Sequence, residues 1–241
     1  DRRMEIITEE LTEIGKKYGD DRRSEIIGKA SSLDVEDLIA DEEMVITVSR
    51  AGYVKRTEVD TYRAQRRGGR GLQGMGTKEE DWVEHLFVAS AHEYLMIFTR
   101  SGQCHWLKVW QVPPAGRHSR GKPIVNLLNI DPSDEIASVV AVREFSDDRY
   151  LLFCTKGGKI KKTALSAYGN VRTVGLIGIN IREGDELIDV QLTDADNEVI
   201  LATRNGLAIR FRESDARLMG RVAEGVRGIR LGADDEVVGM V

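Results

Sequence analysis

The chain has 241 residues, 41% of them hydrophobic and 31% charged, with a formal net charge of -5. That length suits one large domain or two ordinary ones, and that balance excludes a disordered chain. No run approaches the ~18 apolar residues of a membrane span, the opening DRRMEIITEE lacks the apolar stretch of a secretory leader, and two cysteines, Cys104 and Cys154, make no disulfide framework, so a reducing cytoplasm is expected.

Met4, Ile7, Leu11, Ile14 and Tyr18 follow the spacing of an amphipathic or coiled-coil seam. They predict a helix over residues 1–19, capped by Gly19. A helix of ~18 residues cannot bury such a seam alone, so it is expected to pack on a coiled-coil partner. Residues 20–40 read as a connector with a short helix near residues 35–40. The lack of an initiator Met and the apolar end at Val241 suggest a piece of a longer protein.

From residue 41 onward the pattern is β, and it repeats. A hydroxyl, a base, one further residue and a glycine recur at Ser49-Arg50-Ala51-Gly52, Thr99-Arg100-Ser101-Gly102, Thr155-Lys156-Gly157-Gly158 and Thr203-Arg204-Asn205-Gly206. Each follows an apolar run (MVITV, YLMIF, YLLFC, EVILA) and precedes a base-bearing run (YVKR, CHWLK, KIKK, LAIRFR). That is a hairpin signature with a two-residue X-Gly turn. A second glycine falls at Gly71, Gly121, Gly175 and Gly225, which lie 19, 19, 17 and 19 residues after the turn glycines. An acid before an apolar pair follows at Asp81-Trp82-Val83, Glu135-Ile136-Ala137, Glu186-Leu187-Ile188 and Glu236-Val237-Val238. A repeat of ~50 residues holds about four strands, the size of one propeller blade. The expected fold is all-β, with blades near residues 41–90, 91–142, 143–192 and 193–241. A two-sheet sandwich is the alternative.

Charge is segregated within each repeat. Residues 50–76, 100–122, 155–175 and 203–230 carry net charges of +5, +5, +5 and +4, which leaves -24 for the rest of the chain. Rotation of blades about one axis places these windows in a ring, the footprint of a long polyanion on a rim. The bases expected on that rim are Arg50, Lys55, Arg56, Arg63, Arg100, Lys108, Arg117, Arg120, Lys122, Lys156, Lys159, Lys161, Lys162, Arg172, Arg204, Arg210, Arg212, Arg221 and Arg227. His105 and His118 fall in the same windows and are expected at phosphates or solvent. Trp106, Trp110 and Tyr168 form no evident stacking platform, and no recognition helix interrupts the repeats. Duplex DNA held through its backbone therefore fits better than single strands or sequence-specific groove reading.

Other chemistry finds no support in the residues. No phosphate-binding GxxxxGK[ST] loop occurs. His85 and His92 have no Cys or acidic ligand at zinc spacing, and neither cysteine has a histidine partner for nucleophilic work. No metal or catalytic residue is expected in this stretch.

Gln65, Arg66, Arg67, Gly68, Gly69, Arg70 and Gly71 match in full the heptapeptide box of the DNA gyrase A C-terminal domain. Residues 18–26, YGDDRRSEI, resemble the end of the coiled-coil region of gyrase A. The resemblance covers essentially the whole chain. It implies a β-pinwheel whose blades exchange strands, here at least four of the usual six, and DNA wrapped with a fixed hand around a basic rim. It further implies that the wrap enables a type II topoisomerase to introduce negative supercoils. The box would serve wrapping rather than cleavage. The partners implied are duplex DNA and, in a heterotetramer of two A and two B subunits, the ATPase subunit. ATP and Mg would act on other domains or subunits, with no cofactor in this stretch, and the location would be the cytoplasm, on the chromosome. The related topoisomerase IV domain, where the box is typically degenerate, and a protein-binding propeller with an acidic partner are the competing readings.

Overall fold

The computed structural model describes residues 2–20, 35–62, 74–77, 80–170, 172 and 174–241. The chain divides into two units, residues 1–38 and 39–241. In the first, helix α1 (Arg2–Tyr18) buries no residue, so Met4, Ile7, Leu11, Ile14 and Tyr18 form an exposed apolar seam. The Gly19 N–H closes the helix on the Gly15 carbonyl at 2.9 Å. A 3-10 turn follows at Val35–Leu38. Among the described residues no helix is long and apolar enough to cross a membrane.

The second unit holds the four repeats. The first contains β1 (Glu43–Ser49), β2 (Tyr53–Glu58) and β3 (Val83–Ser90). The second contains β4 (Tyr94–Thr99), β5 (Gln103–Lys108), β6 (Lys122–Pro123) and β7 (Ile136–Val142). The third contains β8 (Tyr150–Thr155), β9 (Lys159–Ala164), β10 (Leu176–Ile177) and β11 (Leu187–Thr193). The fourth contains β12 (Glu198–Thr203), β13 (Ala208–Arg212), β14 (Val226–Arg227) and β15 (Val237–Met240).

Sheets and repeats do not coincide. The sheet orders are β3-β1-β2-β6, β10-β5-β4-β7, β11-β8-β9-β14 and β13-β12-β15. Each sheet takes three strands from one repeat, and in the first three sheets a short fourth strand comes from the next repeat. Strand β6 pairs with β2 at Val54↔Lys122, β10 with β5 at Cys104↔Leu176, and β14 with β9 at Ile160↔Val226. The outer edge of β13 carries no strand among the described residues. The architecture is thus a strand-exchanged propeller, not a sandwich.

The continuous apolar runs have a direct cause. Side chains alternate across a strand, so a sheet packed on both faces needs apolar residues at successive positions. In β4, Leu95 and Ile97 meet the first sheet's Ile46 and Val48, while Met96 and Phe98 meet the third sheet's Leu151 and Phe153. In β8, Leu152 and Cys154 face the opposite way, onto Val199 and Leu201 of the last sheet. Phe98 and Phe153 meet edge to face at 5.3 Å, with Tyr168 stacked on Phe153 at 6.0 Å. In β12, Ile200 lies on the uncovered face and is exposed.

Candidate nucleic-acid interface

The recurring turn is not a two-residue turn. In each copy the glycine N–H closes a four-residue turn on the hydroxyl residue's carbonyl, at 2.9, 2.9, 2.9 and 3.1 Å. The glycines take φ of +77°, +87°, +78° and +84°, a left-handed conformation other residues adopt at a cost. The hydroxyl then accepts the N–H beyond the glycine, as in Thr99 Oγ1 from Gln103 and Thr203 Oγ1 from Leu207, both 3.2 Å. This pairing of a turn with a left-handed glycine bulge fixes the strand register.

An aspartate closes the outside of each turn. Asp81, Asp134, Asp185 and Asp235 accept the N–H of Ala51, Ser101, Gly157 and Asn205 at 2.7–3.1 Å. The first repeat therefore aligns through Asp81 with Asp134, one residue away from the alignment with Glu135 read from the sequence. The next residue is Glu135, Glu186 or Glu236, and in the first copy Trp82, over whose ring Arg50 lies at 5.0 Å.

Those glutamates join the turn bases into a ladder across all four sheets. Glu135 meets Arg50 at 3.7 Å and Arg100 at 3.0 Å. Glu186 meets Arg100 at 3.1 Å and Lys156 at 2.8 Å. Glu236 meets Lys156 at 3.3 Å and also pairs with Arg204. The bond from Lys156 holds the Glu186 carboxyl below its ordinary range, and the same bond raises the Lys156 ammonium. Arg50, Arg100, Lys156 and Arg204, expected on the rim as phosphate contacts, are therefore paired within the protein, four bases on three carboxylates.

The second glycines mark strand exchange. Gly121, Gly175 and Gly225 take φ of +80°, +78° and +95° immediately before β6, β10 and β14. A Cβ at Gly121 would strike the Val54 carbonyl, and one at Gly225 the Ile160 carbonyl. Ahead of Gly121 and Gly225 the chain leaves and rejoins the same strand of the preceding sheet. Residues 113–115 bond Arg56 of β2, through Pro113 O at 3.2 Å and the Ala115 N–H at 3.0 Å, before β6 returns to Val54. Met219 bonds the Lys162 carbonyl of β9 at 2.9 Å before β14 returns to Ile160. Between these feet stand the basic loops, with Arg117, His118 and Arg120 in one and Arg221 in the other.

Three expected rim bases prove to be buried. Lys55 and Lys161 are 0% exposed, and Lys162 is 7% exposed. Each lies on a hairpin strand covered by the next repeat, so a charge count along the sequence mistakes an interior position for a surface one. Lys55 Nζ donates to the carbonyls of Gly116 (3.0 Å) and Arg117 (2.7 Å). Lys161 Nζ donates to the carbonyls of Arg221 (2.6 Å) and Gly178. Burial lowers both ammonium groups, Lys161 to about 7 with help from the Arg221 guanidinium. Lys162 pairs at 3.2 Å with Glu213, which is itself buried. His105, at the equivalent place in β5, is also buried rather than at solvent.

The other expected bases have varied places. Lys159 pairs with Glu224 at 2.9 Å and Arg210 with Glu198 at 3.1 Å. Arg56 Nε bonds Val112 O at 2.7 Å, Lys108 Nζ bonds His92 O at 2.9 Å, and Arg221 bonds Ile177 O at 2.9 Å. Arg120 lies over the Tyr53 ring at 5.4 Å. Lys122, Arg172, Arg212 and Arg227 are exposed, and Arg117 is half-exposed beside His118. Trp106 and Tyr168 belong to the core. Arg63 and the box, Gln65 to Gly71, lie outside the described residues.

The fold and these loops define a class: propellers whose sheets are completed by the following repeat and whose exchange loops carry bases. The family described as DNA gyrase C-terminal domain, beta-propeller, matches residues 43–90, 93–143, 149–194 and 197–241, and the chain belongs to that family. It is 49% identical over 226 residues to the DNA gyrase A subunit of Halalkalibacterium halodurans, covering 94% of this chain and 27% of that one. The chain thus spans about a quarter of the length of the curated relatives it matches. The crystal structure of the C-terminal domain of DNA topoisomerase IV is similar with a TM-score of 0.70 and 33% identity, over 84% of this chain and 61% of that one. The structure of a DNA gyrase A C-terminal domain is similar with a TM-score of 0.67 and 25% identity, over 83% and 64%.

Proposed function

We propose that this stretch binds duplex DNA through its exchange loops and wraps it, as the non-catalytic arm of a gyrase A subunit. The observation that carries the reading is the division of its bases. Turn bases are paired along the Glu135, Glu186 and Glu236 ladder, four bases on three carboxylates, while Arg117, Arg120, Lys122, Arg172 and Arg227 lie on or beside the exchange loops. Bases already paired with carboxylates release few counterions from DNA, so the loops supply the affinity. Such contacts position a duplex without reading its sequence. Bending a site of 20–30 base pairs costs on the order of 1–6 kcal/mol, which a row of loop contacts can offset. The box, by its register with Gly121 and Gly225, is the first-repeat member of this row. The proposed setting is cytoplasmic and chromosome-associated. The ATPase subunit, ATP and Mg serve steps carried out elsewhere in the complex, in which two A and two B subunits assemble.

The test is a topological assay with the full-length gyrase A protein and its ATPase partner. Replacing Arg66, Arg67 and Arg70 by Ala abolishes negative supercoiling and leaves relaxation and DNA cleavage largely intact. Equal loss of all three activities would contradict the assignment. The 33% identity to the topoisomerase IV domain supports a second reading, in which decatenation is the principal activity. ATP-dependent negative supercoiling of a relaxed plasmid separates the two.

A further inference from the structure

Lys55 and Lys161 raise a physical question. Each buries a whole lysine side chain in a strand, at a desolvation cost that a methionine would avoid. Among the described residues the acceptors of both ammonium groups are oxygens of backbone carbonyls and, for Lys161, also Tyr168 OH, rather than carboxylates. The Gly116, Arg117 and Arg221 carbonyls lie in the basic loops that the next repeat lays over these strands, while Gly178 and Tyr168 belong to the same repeat as Lys161. Around Lys55 the geometry is complete. One foot of the loop bonds Arg56, the other pairs with Val54, and Lys55 lies between them with its Nζ on Gly116 O and Arg117 O. Beside the loop, a Cβ at Gly76 would lie 2.5 Å from the His118 carbonyl, so the segment at 74–77 abuts it.

We infer that Lys55, and by the same arrangement Lys161, are positioning residues for DNA wrapping. The buried ammonium ties the neck of the following repeat's loop and holds its arginines as a rigid phosphate-contacting projection. The inference rests on the DNA reading above. Charge-assisted bonds to two carbonyls fix the backbone direction at Arg117, and a loop fixed before binding loses less entropy on the phosphate chain than a free one. The strand sequence of one repeat thus sets the shape of the DNA contact supplied by the next.

The test uses the full-length chain with Lys55→Met, Lys55→Gln and the pair Arg117→Ala/Arg120→Ala. Duplex affinity is measured between ~50 and ~200 mM salt, where each lost phosphate contact lowers the log–log slope by ~0.9. The arginine pair lowers it by up to ~1.8. Lys55→Met, with every loop arginine in place, lowers it by a similar amount, and adding it to the arginine pair lowers it no further. Lys55→Gln, which keeps an N–H donor, restores part of the slope. A folded Lys55→Met with the wild-type slope overturns the inference. Trypsin nicking after Arg117 and Arg120 gives a second readout on the unaltered chain. Slow nicking that Lys55→Met or Lys55→Gln accelerates supports the tie, and nicking of the unaltered chain as fast as of denatured chain overturns it, even if Lys55→Met does not fold. If the unaltered chain shows no salt-dependent duplex binding, the DNA reading fails, and the nicking arm still reports on the tie.

Discussion

Glu213 gives the sharpest test of how successive sheets are joined. Its place in the 3-10 turn after β13 is held by Val109 and Leu165 in the two preceding repeats, so a carboxylate stands where the fold elsewhere puts a hydrocarbon. It is wholly buried, with Oε1 on Lys162 Nζ at 3.2 Å and on Thr193 Oγ1 at 2.7 Å, and Oε2 on Asn197 Nδ2 at 3.2 Å. Glu213→Ala leaves the Lys162 ammonium buried without its counter-charge and takes an acceptor from Thr193 and Asn197. Breaking one side of a buried pair costs ~3–5 kcal/mol. At ~2–4 °C per kcal/mol for a domain of this size, Tm falls by roughly 6–20 °C. Replacing both partners, as in Lys162→Met/Glu213→Leu, removes the desolvation cost with the pair and stays within ~1–2 kcal/mol of the original. Urea titrations at neutral pH, followed by tryptophan fluorescence and circular dichroism, measure the unaltered chain, Lys162→Met, Glu213→Leu and the double variant as the four corners of the cycle, with Glu213→Ala beside them. A loss below ~1 kcal/mol for Glu213→Ala, or a double variant as unstable as the two single losses added, refutes the argument.

Two further outcomes follow from backbone geometry and from burial. Gly121→Ala forces a Cβ into a left-handed residue (φ +80°) and against the Val54 carbonyl, and it lowers stability by ~2 kcal/mol or more. Gly232→Ala, which meets open space at an ordinary φ, stays within ~0.5 kcal/mol, and urea midpoints compare the two. Lys161 is a lysine depressed to about 7 from 10.5, so between those values the unfolded chain binds more protons than the folded one. Stability therefore rises as pH climbs from about 7 towards 10, by up to ~4 kcal/mol, and Lys161→Met removes that rise in pH-dependent melts.

The repeat was legible because its markers are backbone requirements. A left-handed glycine and, three residues before it, a hydroxyl that bridges a bulge recur in every copy whatever the surrounding side chains are, whereas the turn-closing aspartate stands one residue before the glutamate read as the marker in the last three copies. The two-sided apolar runs of β4 and β8 likewise announced sheets covered on both faces. Strand exchange was not legible from periodicity, because β6, β10 and β14 are two residues long and carry no alternation. The one local clue was the second glycine before each of them. The rim residues were overcounted for a different reason. KIKK reads as four exposed or alternating positions, yet Lys161 and Lys162 are both buried, since the next repeat covers that strand on its edge and its face. The ladder also left a signal, the Asp-Glu pairs at 134–135, 185–186 and 235–236, which begin 34, 29 and 31 residues after the turn bases Arg100, Lys156 and Arg204.

Strand exchange changes what a single repeat can do on its own. The loop with Arg117 and Arg120 belongs to the second repeat by chain and to the first sheet by contact, through Arg56, Val54 and Lys55. The loop with Arg221 stands in the same relation to the third sheet through Lys162, Ile160 and Lys161. A cut between repeats would therefore damage both sides: the earlier sheet would lose its edge strand and its loop, and the later segment would carry a loop with no strand to shape it. The loop bases are in this way held by the sheet before them, while the Glu135, Glu186 and Glu236 ladder joins each sheet to its neighbour. A polyanion pulled around such an array loads the inter-sheet contacts rather than single blades. The buried lysines of β2 and β9 and the paired turn bases thus have one structural effect in common, since both spend their charge on contacts between consecutive repeats.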